Sequence, residues 1–237
     1  MSASRREIWV FGDYRNYFQN RVTLQLLARA RELAEPLSAE VAAVIFGHGV
    51  DEFVGEYIAH GAHRVLVSDN PDLHGYNTER YAEFLARLAR ERRPEIILIG
   101  ATDFGREFAP QVSWRLQTGL TADCINLEIN ADGLLVQTAP SFGGNLIAQI
   151  VTPKRRPQMA TVRPGTFPEL CHDDEAAGEI VPVPLPGDLP APRVRLVKSE
   201  PLPAPPRSLE DAPVVVCGGR GMGSKAKFKK LFELARL

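Results

Sequence analysis

Short apolar runs alternate with amphipathic stretches along the first hundred residues of this chain. Ile8–Phe11 and Val41–Phe46 are continuous apolar runs, too short for helices, and each has the length of a buried strand. The stretch between them carries one apolar stripe at helical spacing, formed by Val22, Leu26, Ala30 and Leu33. This alternation is typical of a parallel sheet that is covered by helices on both faces.

The same alternation continues beyond the second strand. Phe53, Val54, Tyr57 and Ile58 recur at helical spacing. Gly61 stands where a left-handed helix cap would precede a third strand, Val65–Val67. A further helical face then consists of Tyr81, Phe84, Leu85 and Leu88 and ends before Pro94. The run Ile96–Ile99 that follows predicts the fourth strand.

The spacing of the apolar residues changes over the next fifty residues. We expect a helix from about Glu107 to Gln117, with Asp103 as its N-cap, Pro110 in its first turn and Gly119 beyond its end. Three strands then follow at Leu134–Thr138, Leu146–Val151 and Met159–Val162. The predicted fold class is therefore α/β: an open, mostly parallel, Rossmann-like sheet that closes with antiparallel strands.

Proline marks the predicted end of this domain. Nine of the 19 prolines lie between Pro182 and Pro206, which favours an extended connector. We expect a first domain at 1–180, a proline-rich linker at 181–212 and the beginning of a second α/β domain at 213–237. That beginning comprises a buried strand at Val214–Val216, a glycine loop and a helix with Phe228, Leu231, Phe232 and Ala235 on one face. One strand and one helix bury too little apolar surface to fold alone, so we expect an incomplete second domain.

Charge and composition limit the classes of function that the chain can have. The 28 Lys and Arg residues nearly balance the 29 Asp and Glu residues, which gives no overall field that would attract nucleic acid or anionic lipid. No apolar stretch is long enough for a signal peptide or a membrane helix, so we expect a cytoplasmic protein without membrane insertion. The three cysteines are scattered without the paired spacing of a metal or redox motif, and we expect them to be reduced and structural.

The glycine loop is the best candidate for a binding site. Gly218, Gly219, Arg220 and Gly221 precede a predicted helix, whose N-terminus favours anions. The loop is not a nucleotide-binding P-loop, because Ser224 and Lys225 stand in the reverse of the required order. It also lacks the third glycine of the dinucleotide fingerprint. From the pattern alone, a tight turn that needs glycine and an anion site remain equally open.

Polar residues also follow the predicted strands, at the edge where open α/β sheets bind ligands. The segment Ala101–Glu107 follows the fourth strand, and Asp13, His48 and Asp69 lie at comparable strand ends. Nothing in their spacing brings a nucleophile, a base and an orienting group together, so we predict capping and turn roles and no catalytic residue. Arg163 closes the last strand, where it either pairs within the domain or faces a partner.

Several longer motifs stand out along the chain: Gly105–Pro110, Thr118–Asp123, Pro140 with Gly143–Asn145, Arg156–Gly165 and Gly218–Gly221. Together they resemble the alpha subunit of electron transfer flavoproteins. Their order matches over essentially the whole chain. The long run from Arg156 to Gly165 is the most specific of them. Cys217 departs from the pattern, since a serine is common before the family's loop.

The resemblance implies a heterodimer in which the first domain, of a fold similar to adenine nucleotide alpha hydrolases, packs on a beta subunit. It implies FAD in the second domain, with Arg220 in the position that contacts the flavin and electrons exchanged with dehydrogenases or with quinone- or ferredoxin-linked partners. Most of the family's FAD contacts would come after Leu237. The alternatives are a stand-alone adenine-nucleotide-binding module, recognised by nucleotide binding without flavin, and a structural subunit that binds neither.

Overall fold

The computed structural model describes residues 6–15, 17–75, 77–194, 197–198, 200, 209 and 212–236. Much of the predicted linker beyond residue 194 lies outside them. By its internal contacts the chain divides into a first compact unit, Met1–Leu196, and a second, Val197–Leu237. The domain boundaries expected from the prolines stay a prediction.

The first unit contains ten strands and four helices among its described residues. The strands are β1 (Glu7–Phe11), β2 (Glu40–Gly47), β3 (Arg64–Asp69), β4 (Ile96–Gly100), β5 (Leu120–Cys124), β6 (Asn126–Ile129), β7 (Leu135–Ser141), β8 (Leu146–Ile150), β9 (Gln158–Val162) and β10 (Glu179–Pro182). The helices are α1 (Tyr17–Leu37), α2 (Asp51–Ala59), α3 (Thr78–Arg92) and α4 (Asp103–Leu116). The second unit contains α5 (Lys225–Leu234).

Seven strands form one parallel sheet in the order β10-β3-β2-β1-β4-β9-β5. Strands β6, β7 and β8 form a separate antiparallel sheet. The chain adds β2 and β3 on one side of β1 and then crosses to add β4 on the other side. The α/β fold class predicted from the sequence is confirmed, and the switch in direction lies between β1 and β4.

Helices cover both faces of the parallel sheet. Ile8 and Val10 of β1 point into a core shared with α1 and α2. Trp9 and Phe11, the alternate residues, point into a second core shared with α3 and α4. All four side chains are almost completely buried. Because side chains alternate along a strand, burial on both faces requires the continuous apolar runs seen in the sequence.

The start of α4 differs from the prediction. The helix begins at Asp103 rather than near Glu107, and its N-cap is Thr102, whose hydroxyl accepts a hydrogen bond from Gly105 N–H at 3.2 Å. Pro110 consequently lies in the middle of the helix and not in its first turn. Threonine and aspartate are both good N-caps, so the sequence left the choice to the packing of the helix on the sheet.

The strand predicted at Met159–Val162 is confirmed as part of β9, but its expected antiparallel pairing is wrong, because β9 runs parallel to β4 and β5 inside the main sheet. The strand predicted at Val214–Val216 is wrong: these residues form no strand, and Val214 is 78% exposed. A strand needs a neighbour for its backbone hydrogen bonds, and the described part of the second unit contains no other strand.

Gly105 allows α4 to approach the end of β4 closely. A Cβ atom at this position would lie 1.7 Å from the carbonyl oxygen of Gly100, which is backbone and cannot rotate away. We therefore predict that Gly105→Ala lowers the free energy of unfolding by about 1–3 kcal/mol. Gly55→Ala is the matched control, because Gly55 lies in α2 and its added methyl group would meet nothing within 4 Å.

Alanine at position 55 should raise the free energy of unfolding by about 0.5–1 kcal/mol, since it removes the entropic cost of a glycine inside a helix. Urea unfolding of the wild type and the two variants measures both effects. A Gly105→Ala protein with an unchanged urea midpoint would contradict the close approach of α4 to β4.

Candidate functional site

The glycine loop of the second unit forms a turn directly before α5. Arg220–Met222 is a single 3₁₀ turn, and Ser224 caps α5 by accepting a hydrogen bond from Lys227 N–H at 3.3 Å. Gly218 serves packing, because a Cβ atom there would lie 2.2 Å from Cδ1 of Leu231. The loop thus lies against its own helix through Gly218 and exposes the glycines that follow.

The exposed part of the loop is suited to an anion. Cβ atoms at Gly219 and Gly221 would meet no atom within 4 Å, so a ligand can approach the backbone there. A cavity of about 330 Å³ is lined by the loop and the first turn of α5, including Arg220 and Lys225. The first turn of α5 contains no acidic residue. The cavity and its positive charges fit one anionic group of a larger ligand such as FAD.

At the carboxyl edge of the parallel sheet, the predicted polar residues mostly cap helices. Asp69, the last residue of β3, accepts hydrogen bonds from Gly49 N–H at 3.0 Å and Val50 N–H at 2.8 Å at the start of α2. Thr102 caps α4 and also donates its hydroxyl to Asp13 at 2.9 Å. The predicted capping role is confirmed for Asp69.

These hydrogen bonds keep Asp69 ionised. Burial of the carboxylate works to raise the pKa of Asp69, but the hydrogen bonds from Val50 and Gly49, with His48 beside it, outweigh burial, and the pKa lies below its ordinary value. His48 Nδ1 lies 3.4 Å from the carboxylate. The α2 N-cap, Val50, offers no side-chain oxygen of its own. Asp69 therefore supplies from the neighbouring strand the acceptor that this helix start lacks.

The other residues of the predicted segment after β4 do not converge. Asp103, Arg106 and Glu107 are exposed on α4. Glu107 accepts a hydrogen bond from the hydroxyl of Thr78 at 2.6 Å, which links α4 to α3.

Of the two possibilities left open for Arg163, its contacts show pairing within the domain. Its guanidinium binds the carboxylate of Asp123 through two hydrogen bonds of 2.6 and 3.3 Å. The hydrogen bond and charge of Arg163 lower the pKa of Asp123. Arg163 thus pairs within the first unit and ties the end of β9 to β5.

A surface that the sequence analysis missed lies on the antiparallel sheet. We call it the apolar hairpin and define it by the exposed residues Phe142, Leu146, Ile147, Ile150 and Val151. Strand β8 is the outer strand of its sheet, and Phe142 at the turn is 78% exposed. The run Leu146–Val151 has the composition of a buried strand, so only the fold reveals that it lies at the surface.

The cysteines differ in their surroundings. Cys124 is completely buried, and burial raises the pKa of its thiol to about 12. Cys171 and Cys217 are exposed, so the expectation of three structural cysteines holds only for Cys124. Within the described ranges no group of three or more His, Cys, Asp or Glu residues is arranged to hold a metal ion. No helix among the described residues is both long and apolar enough to cross a bilayer.

A doubly wound parallel sheet and a separate glycine-rich loop before a helix define an α/β protein of the kind whose strand ends and helix N-termini commonly bind ligands. The family model described as the electron transfer flavoprotein domain matches residues 8–187. The electron transfer flavoprotein alpha subunit of Thermoanaerobacterium thermosaccharolyticum is 42% identical over 97% of this chain and 70% of its own length. The chain therefore belongs to the electron transfer flavoprotein alpha-subunit family.

Two further relatives extend this comparison. The alpha subunit of Clostridium acetobutylicum is 42% identical over 99% of this chain and 71% of its own length. The acryloyl-CoA reductase electron transfer subunit beta of Anaerotignum propionicum is 36% identical over 73% of this chain and 54% of its own length.

The stabilisation of α2 by the Asp69 carboxylate should depend on pH. We predict that Asp69→Ala lowers the free energy of unfolding at pH 7 by about 1 kcal/mol, as for other lost caps. Because the folded protein lowers the pKa of Asp69, this contribution is fully present above the ordinary aspartate pKa of 3.8 and is lost as the pH falls through the folded value. The difference between wild type and variant should therefore narrow below about pH 4.

Urea unfolding from pH 7 down to pH 3 measures this difference. Asp132→Ala, in an exposed turn, is the control and should change the free energy of unfolding by less than about 0.5 kcal/mol. A constant difference between wild type and Asp69→Ala over the whole pH range would show that the carboxylate charge does not stabilise α2.

Proposed function

We propose that this chain is the alpha subunit of a heterodimeric electron transfer flavoprotein, which carries electrons through FAD between dehydrogenases or other redox partners. The apolar hairpin is the observation that supports a heterodimer. The family relationship supports the electron-transfer role, and the glycine loop supports a cofactor contact. The name of the Anaerotignum propionicum relative supports an acryloyl-CoA reductase as one redox partner. Quinone- and ferredoxin-linked partners are further candidates.

The apolar hairpin requires a partner for a physical reason. Strand β8 carries Leu146, Ile147 and Ile150, each at least 40% exposed, and pairs with β7 on one side only. Soluble proteins protect edge strands with charges, prolines or covering elements. Residues 146–151 contain none of these charges or prolines. We infer that the beta subunit covers this surface.

The glycine loop is the proposed contact with FAD. Gly219 and Gly221 allow close approach, and Arg220 supplies a guanidinium that can bind phosphate oxygens or stabilise negative charge on a reduced flavin. Gly218 holds the loop against α5. FAD, when bound, supplies the electron-transfer chemistry, so the chain itself needs no catalytic acid or base.

We predict that Ile147→Glu prevents or strongly weakens association with the beta subunit. A carboxylate on the apolar hairpin would be buried without a partner charge, and hot-spot substitutions of this kind cost at least about 2 kcal/mol, or roughly thirtyfold in affinity. Ile180→Glu is the matched control: Ile180 is 56% exposed, against 57% for Ile147, and lies on β10, another edge strand.

The two variants and the wild type are co-expressed with the beta subunit, and the heterodimer is quantified by size-exclusion chromatography. Wild type and Ile180→Glu should co-elute with the beta subunit, whereas Ile147→Glu should elute alone with an unchanged melting temperature. Normal heterodimer formation by Ile147→Glu would place the subunit interface elsewhere.

For the glycine loop, we predict that Arg220→Ala in the heterodimer weakens FAD binding roughly ten- to hundredfold, the effect of losing one charge-assisted hydrogen bond. Arg220→Lys should recover part of the affinity, because it restores the charge without the planar fork. Arg236→Ala, an exposed arginine just beyond α5, is the control. The measurement is a titration of the apo-heterodimer with FAD, followed by the reduction potential of the bound flavin.

The exposed thiol of Cys217 next to the loop gives an independent readout. FAD should slow alkylation of Cys217, while Cys171, which is also exposed and lies in the first unit, serves as an internal reference. If Arg220→Ala left the FAD affinity, the flavin reduction potential and the protection of Cys217 from alkylation unchanged, the glycine loop would be only a structural turn.

A further inference from the structure

The first part of the predicted linker is packed against α3. Residues 183–194, which we call the α3 strap, follow β10 and run along the helix from its C-terminal half towards its N-terminus. Pro186 and Leu88 line the same cavity near the C-terminal end of α3. At the other end of the strap, Val194 contacts Asn77, directly before the helix begins. The chain therefore stays on the surface of the first unit up to Val194.

The beginning of the strap is fixed by burial. Val183 is 8% exposed and donates its backbone N–H to the carbonyl of Val67 in β3 at 2.8 Å. Leu185 and Leu189 are half-buried and pack against the core that α3 and α4 share. Apolar burial does not depend on charge, so we expect this part of the strap to stay in place when ion pairs are screened by salt.

The end of the strap is held by charged and polar groups. Arg193 binds the carboxylate of Glu79, in the first turn of α3, through its side-chain Nε at 2.7 Å and its backbone N–H at 3.2 Å. The hydrogen bond from the Arg193 side chain lowers the pKa of Glu79, so the carboxylate is ionised at neutral pH. Asn77, the N-cap of α3, donates its side-chain amide to the carbonyl of Val194 at 2.9 Å. The strap thus ends on the N-terminus of α3.

These charged contacts lie in solvent. Asp188 pairs with Arg87 of α3 at 2.8 Å, and the side chains of Asp188 and Arg193 are 81% and 85% exposed. Val194 is 71% exposed and adds little apolar burial. Exposed ion pairs contribute little individually and are screened by salt. The strap therefore has a firmly packed beginning and an end that can detach.

Proline explains how so few contacts dock the end of the strap. Pro184, Pro186, Pro190 and Pro192 lie within it. Each fixes its own φ and restricts the residue before it to extended conformations, so the undocked segment is already extended and loses little backbone entropy on docking. The same stiffness carries a detached end outwards: residues 188–194 span about 20 Å in the polyproline conformation.

We propose that residues 188–194 form a salt-sensitive latch that sets the point at which the chain leaves the first unit. The docked latch holds the chain at the N-terminal end of α3 up to Val194, just before the second compact unit begins at Val197. The detached latch lengthens the tether of that unit by about 20 Å. The contacts of the latch all lie within the first unit, so the proposal can fail without affecting the proposed electron-transfer function.

Trypsin cleavage after Arg193 reports on the latch, because the bond becomes accessible only when Arg193 leaves Glu79 and Val194 leaves Asn77. A synthetic peptide of residues 186–198 gives the cleavage rate of the same sequence without α3 at each salt concentration. In the full 237-residue chain at about 0.05 M sodium chloride, cleavage should be at least about tenfold slower than in the peptide, because proteolysis follows the population of the open form. At about 0.5 M the difference should shrink to about threefold or less, since the charges are then screened.

Two substitutions remove the charges of the latch one at a time. Glu79→Gln and Asp188→Asn should each raise the cleavage rate of the full chain at low salt about threefold or more, and each should reduce its dependence on salt. Glu91→Gln is the matched control and should be cleaved like the wild type: Glu91 is exposed on the same helix, beside the firmly packed beginning of the strap.

Melting curves accompany the variants, and Asp188→Asn, which lies outside α3, decides if Glu79→Gln destabilises the helix. Cleavage of the wild-type chain at the rate of the peptide would show that the strap is not docked. A slow rate that neither substitution nor salt changes would show that the strap is docked permanently. Either result would overturn the latch.

Discussion

The structure depends on one constraint: a parallel sheet whose two faces are both buried. Ile8 and Trp9 are neighbours in β1, yet they point into different cores, and neither is exposed at all. Such strands carry mostly apolar side chains along their length. Charged side chains therefore lie at the strand ends and in the loops, as Asp13 and Asp69 do. The burial that stabilises the fold also decides where ligand chemistry can occur.

This constraint explains why much of the fold was predictable. A strand such as Val41–Phe46 and a helical face such as Tyr81–Leu88 each carry their whole signal within a few residues. The start of α4 carried no such signal, because Thr102 and Asp103 are both suitable caps. The choice depends on the approach of Gly105 to the carbonyl of Gly100, a tertiary contact that periodicity does not report.

The surroundings of a strand were harder to predict than its existence. Leu146–Val151 and Met159–Val162 are similarly apolar, but Ile147 is 57% exposed and Met159 is completely buried. The difference arises from pairing: β9 lies between β4 and β5, whereas β8 has one neighbour. Which strand occupies the centre is decided by contacts distant in sequence. A local pattern therefore predicted both strands and could not predict which one would form the apolar hairpin.

The two candidate ligand sites illustrate the same distinction. The loop Gly218–Gly221 was visible in the sequence, because close backbone approach demands glycine and leaves a compositional trace. A cavity of about 260 Å³ at the carboxyl edge of the parallel sheet has no such trace. Asp13 and His48 could be placed at the shared edge, since each follows a strand, but Arg15 and His74 lie in irregular loops and meet them only in the fold. The carboxylates at this edge are satisfied within the protein, because Asp13 accepts two hydrogen bonds from Arg15 and Asp69 accepts two from the backbone at the start of α2. A position at a strand end therefore does not by itself show that a carboxylate is available to a ligand.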